Sequence, residues 1–229
     1  MIVSINGPEW FYTAGSVMQI VFALVTLLIA GFSYKAYILA KDRKYKYFSV
    51  GFLSLAAGYA TISLSNLLVF LGVYDGVISR LNELNVANFL YMGHIFFILT
   101  GFMLLLAVAL KLQQRRLIAL LFALMLMLVA FAYQYYIKFH MISLLLLGFM
   151  AWQFYENYKE KRTLNAGLVF SSFYLLGFAE LFLIGMVYVT PMLYAVGHFL
   201  QLMGFGLLLL MFTRVQKGDN GGKHGRKKK

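Results

Sequence analysis

Seven stretches of this chain are long and apolar enough to cross a bilayer as helices, and no other feature limits the fold as much. A hydrocarbon core about 30 Å thick takes roughly 20 apolar residues at the helical rise. The runs are Tyr12–Tyr34, Tyr47–Tyr74, Val86–Leu110, Leu117–Tyr135, Phe139–Tyr155, Leu164–Val189 and Pro191–Thr213. Within lipid every backbone amide has to be bonded inside the protein, so runs of this kind become helices. The expectation is an all-α, polytopic seven-transmembrane bundle over residues 1–214, with a flexible basic tail at 215–229. The fifth run is short and follows Lys138, which makes it the weakest of the seven and its hairpin with the fourth tight. The second is longer than needed and should tilt or project.

Composition agrees. The chain is 62% hydrophobic and 12% charged, against about 45–50% and about 25% in soluble domains. A soluble enzyme and a disordered chain are both excluded. Absence of cysteine removes disulfide frameworks and thiolate metal sites. There is no Gly-x-Ser-x-Gly, no paired histidine at metalloprotease spacing and no phosphate-binding glycine loop, so no enzyme is expected.

The net charge of +12 reads as topology. Eighteen of the 20 basic residues fall in the turns after the first, third and fifth runs or in the tail; Arg80 and Lys138 alone fall on the other side. By the positive-inside rule the N-terminus is outside and the C-terminus cytoplasmic, in a multi-pass protein integral to a cell membrane. The first run lacks a basic flank and is too long for a cleaved signal. Trp10, Phe11, Tyr12, Tyr133, Tyr135, Tyr136 and Tyr188 suit an outer aromatic belt, and Tyr34, Tyr45, Tyr47, Tyr155 and Tyr158 an inner one. Thr190 and Pro191 suit the start of the last helix. The partners implied are the bilayer itself and anionic lipid at the basic tail. Nucleic acid is not expected, because the tail has no aromatic residue for base stacking.

Ionisable groups inside a membrane are costly and are functional candidates by default. Glu180 lies about 15 Å from the outer end of its run, and His94 and His198 about 10–12 Å from theirs. Gln19, Asn66 and Gln201 sit at similar depth, and Thr61, Ser63 and Ser65 add hydroxyls. A polar layer of this kind suits a small-molecule ligand site, with Glu180 and His198 paired across consecutive helices. His140 reads as a solvated interfacial residue. A small carrier or ligand-binding protein is the leading reading. A second takes His94 and His198 as axial ligands of a b-type haem, with Gly93 and Gly197 leaving room for the porphyrin. Metal binding by His94, His198 and Glu180 would need the three to converge. A third reading is a sensor or interaction subunit that contacts a separate partner through its cytoplasmic loops and tail.

Gly-Phe occurs at 31, 51, 101, 148, 177 and 204, where 20 Gly and 22 Phe in 229 residues give about two by chance. Gly93-His94 and Gly197-His198 open the third and seventh runs. These matches point to a parallel repeat of three helices, a linker helix and three more, although the His-to-Gly spacings differ by one residue. The layout resembles microbial rhodopsins and the sugar carriers of three-plus-one-plus-three helices. Rhodopsins require a lysine in the last helix, and Pro191–Thr213 has none; the sugar carriers use mid-helix prolines, and here the prolines are Pro8 and Pro191. The chain is also similar in layout to the multi-helix sensor regions that precede signalling kinases.

Overall fold

The computed structural model describes residues 10–75, 80–112, 114–130 and 135–225. Among them the chain forms seven helices: α1 Trp10–Ala40, α2 Arg43–Asp75, α3 Arg80–Ala109, α4 Arg115–Ala130, α5 Tyr135–Lys161, α6 Leu164–Tyr188 and α7 Leu193–Gly225. Six of these are long and apolar enough to cross a membrane. The chain is a multi-pass helical membrane bundle, and its surface reflects that. Leu24, Leu28, Leu145, Phe149 and Trp152 are exposed, whereas Gln19, Thr26, Ser143, Ser172 and Glu180 are buried. Lipid-facing apolar groups cost nothing in hydrocarbon, and polar groups are driven inward to find partners.

The short helix is the fourth, not the fifth. α4 has 16 residues, about 24 Å of helix, and residues 131–134 of the expected fourth run lie outside the described residues. α5 has 27 residues. Lys138 is exposed in its first turn, where a long side chain can reach the polar phase without ending the helix. α7 continues to Gly225, past the expected boundary at 214, because no proline or cap interrupts its amide ladder there; Arg226–Lys229 lie outside the described residues. So do Tyr133 and the side chains of Trp10, Phe11 and Tyr12, four of the seven residues of the expected outer aromatic belt.

Two connections are built alike. α1 and α5 each end on a basic residue in the left-handed region, Lys41 (φ 55°) and Arg162 (φ 49°). Each donates its amide to a tyrosine carbonyl four residues back, Tyr37 and Tyr158, at 2.8 Å. A cap follows at once: Asp42 Oδ1 accepts from Lys44 N at 3.0 Å, and Thr163 Oγ1 from Ala166 N at 3.3 Å. Such caps satisfy amides that the first helical turn leaves open. Hydrogen bonding from the Lys44 amide, then from its ammonium, holds the Asp42 carboxyl below its ordinary pKa.

Neighbouring packings form a closed ring, α1–α2–α3–α5–α6–α7 and back to α1, with α4 against α3 and α5 alone. Contacts along the helices set their directions. Ser49 bonds Ala30 O and Ser63 bonds Ser16 O, so α1 and α2 are antiparallel. Gly51 lies against Leu105 and Gly58 against Ile98, making α2 and α3 antiparallel. Tyr136 meets Leu183 while Tyr155 meets Phe170, and Gly197 meets Leu183 while Gly204 meets Leu176, so α5, α6 and α7 alternate too. Gly15 against Tyr194 and Phe22 against Phe205 set α1 parallel to α7. It follows that α1, α3, α5 and α7 all point the same way and their basic C-terminal turns share one end of the bundle.

A close glycine contact between α2 and α3 recurs between α6 and α7. A Cβ on Gly101 would meet Leu55 at 2.6 Å and Gly51 O at 2.9 Å; one on Gly204 would meet Leu176 at 2.9 Å and Ser172 O at 3.0 Å. Leu55 and Leu176 are 121 residues apart, as are Gly51 and Ser172, Lys41 and Arg162, and the fully buried Phe52 and Phe173. Gly101 and Gly204 are 103 apart. At these shifts Gln19 falls on His140, Tyr59 on Glu180 and Ile98 on Gln201. Of the Gly-Phe pairs only 101 and 204 coincide; Gly51 falls on Ser172 and Gly177 on Ala56. His94 falls on Gly197, so the two histidines are not equivalent, as their unequal spacing to the Gly-Phe pair indicates.

Candidate functional site

All six ring helices contribute to one small cavity, lined by Gln19 of α1, Tyr59 of α2, His94, Ile98 and Phe102 of α3, Phe139 and His140 of α5, Glu180 of α6 and Gln201 of α7. Its volume is about 30 Å³, room for about two waters.

The acid has a partner that sequence reading missed. His140 Nδ1 donates to Glu180 Oε2 at 2.5 Å, with both side chains almost wholly buried. His140 is therefore in the core and not at a solvated interface. The α5 helix begins one turn earlier than the apolar run suggested, which carries His140 inward on the same face as Ser143 and Leu147. The signal available was its spacing: His140, Ser143, Leu147 and Met150 form the stripe of α5 that is buried, and a histidine on such a stripe faces the bundle.

From Glu180 the polar chain continues into α7. Gln201 Nε2 donates to Glu180 Oε1 at 3.4 Å, so Gln201 Oε1 accepts from His198 Nδ1 at 2.9 Å. The expected direct pairing of Glu180 with His198 is replaced by this relay through Gln201. His198 sits behind Gln201, against Phe22 and Tyr194, and its buried Nε2 has no partner. His94 donates from Nδ1 to Gly58 O at 2.8 Å, which leaves Nε2 as an acceptor in the neutral ring. Gln19 bonds the Tyr194 hydroxyl, and its buried Oε1 is unpartnered.

Of the residues expected to bind a ligand, Glu180, His94, Gln19 and Gln201 converge on the cavity, and His198 joins them through Gln201. Asn66 does not line it; it lies beside Gly15, as does the Tyr194 hydroxyl. Two of the α2 hydroxyls serve the backbone: Thr61 bonds Gly58 O and Ser63 bonds Ser16 O. Tyr59 and His140 complete the site.

A haem does not fit these residues. The two imidazoles are joined by packed rings, His198 to Phe22, Phe22 to Tyr59 at 5.3 Å and Tyr59 to His94. The space at Gly197 is taken by Leu183, 2.9 Å from where a Cβ would stand. Among the described residues, no three His, Cys, Asp or Glu side chains meet at metal-ligand spacing. The arrangement can instead hold and pass a proton. It has one carboxylate, an imidazole in direct contact, and a carboxamide linking both to a second imidazole.

In comparisons with protein families, curated proteins and solved structures, nothing matches the chain.

Proposed function

We propose that the chain is a small seven-pass carrier with its N-terminus outside and its C-terminus in the cytoplasm, whose working site is the cavity beside Glu180. One observation carries this reading: a buried acid–imidazole pair adjoins a cavity to which all six ring helices contribute. An unpaired carboxylate in a low-dielectric interior is costly, so a pair held there alongside a void has a function as its simplest reason.

The rest of the reading has its own support. The parallel course of α3 and α5 requires the chain to return between them, which favours a seventh crossing through α4. The gathering of basic turns at one end favours that end as cytoplasmic. The matched packing of α1–α3 and α5–α7 favours a parallel three-plus-one-plus-three repeat. In carriers of that design the halves rock about a site near the mid-membrane.

The chain has no cysteine, which makes a substrate-free test possible. Ile98→Cys places one thiol at the cavity. Treated with a membrane-impermeant thiol reagent, a carrier is labelled from either face, in right-side-out and in inside-out vesicles. Labelling from one face only, or from neither, overturns the carrier reading. On the same preparations Val189→Cys should react only in right-side-out vesicles and Lys161→Cys only in inside-out ones, which tests the orientation.

A further inference from the structure

We infer that the cavity beside Glu180 takes one small cation bearing N–H donors, of the ammonium type, in exchange for the proton shared by His140 and Glu180. This rests on the carrier reading and names the ligand class of its site.

The first ground is the balance of donors and acceptors. Gln19, which lines the cavity, has a buried Oε1 without a partner. His94 turns an acceptor nitrogen away from its bond to Gly58. Glu180 is an acceptor on both oxygens, one held by His140 and the other by a long 3.4 Å bond from Gln201. A site rich in acceptors is completed by a donor. An imidazole nitrogen accepts an N–H well and is a poor ligand for a hard alkali cation.

The second ground is size and walls. About 30 Å³ fits a particle or two of water size, which admits ammonium and excludes bulky amines. Tyr59, Phe102 and Phe139 supply aromatic walls, and ring faces attract cations.

The third ground is charge. In the proposed resting state one proton is shared by Glu180 and His140; drawn as carboxylate and imidazolium or as acid and imidazole, the pair then has no net charge. Among the described residues, no lysine or arginine lines the cavity. The titratable groups facing the pair are His94 from α3, Tyr59 from α2, Tyr136 from α5 and, through Gln201, His198 from α7; α1 presents the neutral Gln19. A second positive charge beside an imidazolium is unfavourable at low dielectric. The cation enters as the proton leaves: Glu180 is left a carboxylate and His140 a neutral imidazole, ammonium takes the position opposite the carboxylate, and one proton goes to solvent. The charge of the site is unchanged throughout.

Calorimetric titration of the purified full-length protein tests this. Ammonium chloride is compared with sodium, potassium and tetramethylammonium chlorides at equal ionic strength, in two buffers of different ionisation enthalpy. The expected result is a saturable heat for ammonium alone, with about one proton released per cation and an apparent affinity falling about tenfold per unit of acidification while the pair is protonated. Gln19→Leu, which removes the unpartnered acceptor, should weaken binding by about 10–100-fold. An equal response to sodium or potassium, ammonium binding without proton release, undiminished affinity in Gln19→Leu, or no ammonium response overturns the inference. Should Gln19→Leu fail to fold, the comparison of cations on the wild type decides. Ile98→Cys labelled from both faces with no ammonium response removes this inference alone; labelling from one face or none removes the carrier reading, whatever ammonium does.

Discussion

Replacing His140 by leucine should be among the most damaging single changes in the chain. The Glu180 and His140 side chains are 3% and 9% exposed and are joined at 2.5 Å. Without His140, Glu180 keeps only Gln201 Nε2 at 3.4 Å, a long bond for a buried carboxylate. Removing one partner of a buried pair costs about 3–5 kcal/mol, because the remaining charge is left uncompensated. In a domain of this size each kcal/mol moves the thermal midpoint by about 2–4 °C, so His140→Leu should unfold roughly 6–20 °C below wild type. The double variant His140→Leu/Glu180→Leu behaves differently. It replaces both buried polar groups with apolar side chains of similar bulk, a change that is often neutral or stabilising in a buried site. It should recover most of the loss, and the double-mutant cycle should return a coupling of about 3 kcal/mol. Circular dichroism at 222 nm on heating in detergent, at one scan rate for all variants, gives the midpoints (the wavelength reports helix content). A single variant within about 1 kcal/mol of wild type would place the pair in a well-solvated site. A double variant as unstable as the single would assign the loss to packing. Either outcome refutes the electrostatic account.

Two further predictions follow from the geometry. Gly101→Ala puts a Cβ 2.6 Å from Leu55 and 2.9 Å from the Gly51 carbonyl, so backbone must move at a cost of about 1–3 kcal/mol; Gly31→Ala meets nothing within 4 Å and should gain up to about 1 kcal/mol from helix propensity. Thermal midpoints that rank the two the other way would refute the close α2–α3 crossing. The Asp42 carboxyl, held below its ordinary pKa chiefly by the Lys44 amide and then by the Lys44 ammonium, stabilises the turn above the unfolded value, and that contribution is lost as pH falls through the lower folded value. Carboxyl ¹³C shifts should show Asp42 titrating low, and Lys44→Met, which keeps the amide, should restore it only in part; full restoration would assign the effect to the ammonium.

Much of the fold is visible in the sequence because a bilayer leaves the backbone few options. Apolar length alone places helices α1, α2, α3, α5, α6 and α7, and the basic turns alone predict that alternate helices point the same way. Local composition is a poorer guide to what limits each helix. Lys138 made the fifth run look short, whereas its side chain simply leaves the helix for the polar phase; the fourth run, apolar throughout, contains the short helix. The site was half legible. Gln19, His94, Glu180 and Gln201 stand out as polar residues at one depth, and depth is what a linear reading measures. Which of them touch depends on helix rotation, since one residue turns a side chain by about 100°. The early start of α5, one turn before its apolar run, hid the His140–Glu180 contact, while helix rotation placed His198 one step behind Gln201. The Gly-Phe dipeptides misled for the same reason. Dipeptide matches ignore which face of a helix is buried, while the contact that recurs at Gly101 and Gly204 is carried by buried faces.

That recurrence makes the chemistry of the cavity more pointed. At matching places the two triplets present Gln19 and His140, Tyr59 and Glu180, Ile98 and Gln201. Under the proposed repeat the chemistry is one-sided: the acid, the imidazole that bonds it and the carboxamide that relays it all come from α5–α7. The first triplet offers a neutral amide, a phenol and an aliphatic wall, with His94 drawn toward the backbone of α2. A bundle that needed only to pack would gain nothing from placing a buried acid at one of the two positions that the proposed repeat matches, because an apolar residue there would avoid the desolvation cost. A site that must bind one charge at a time does gain. With two acids related by the pseudo-symmetry, like charges would face each other across a cavity of about 30 Å³, and one would have to stay protonated. With one acid, a single cation or a single proton completes the site. Under the proposed repeat, this asymmetry fits the proposed one-for-one exchange at Glu180, with α1–α3 supplying the opposing wall.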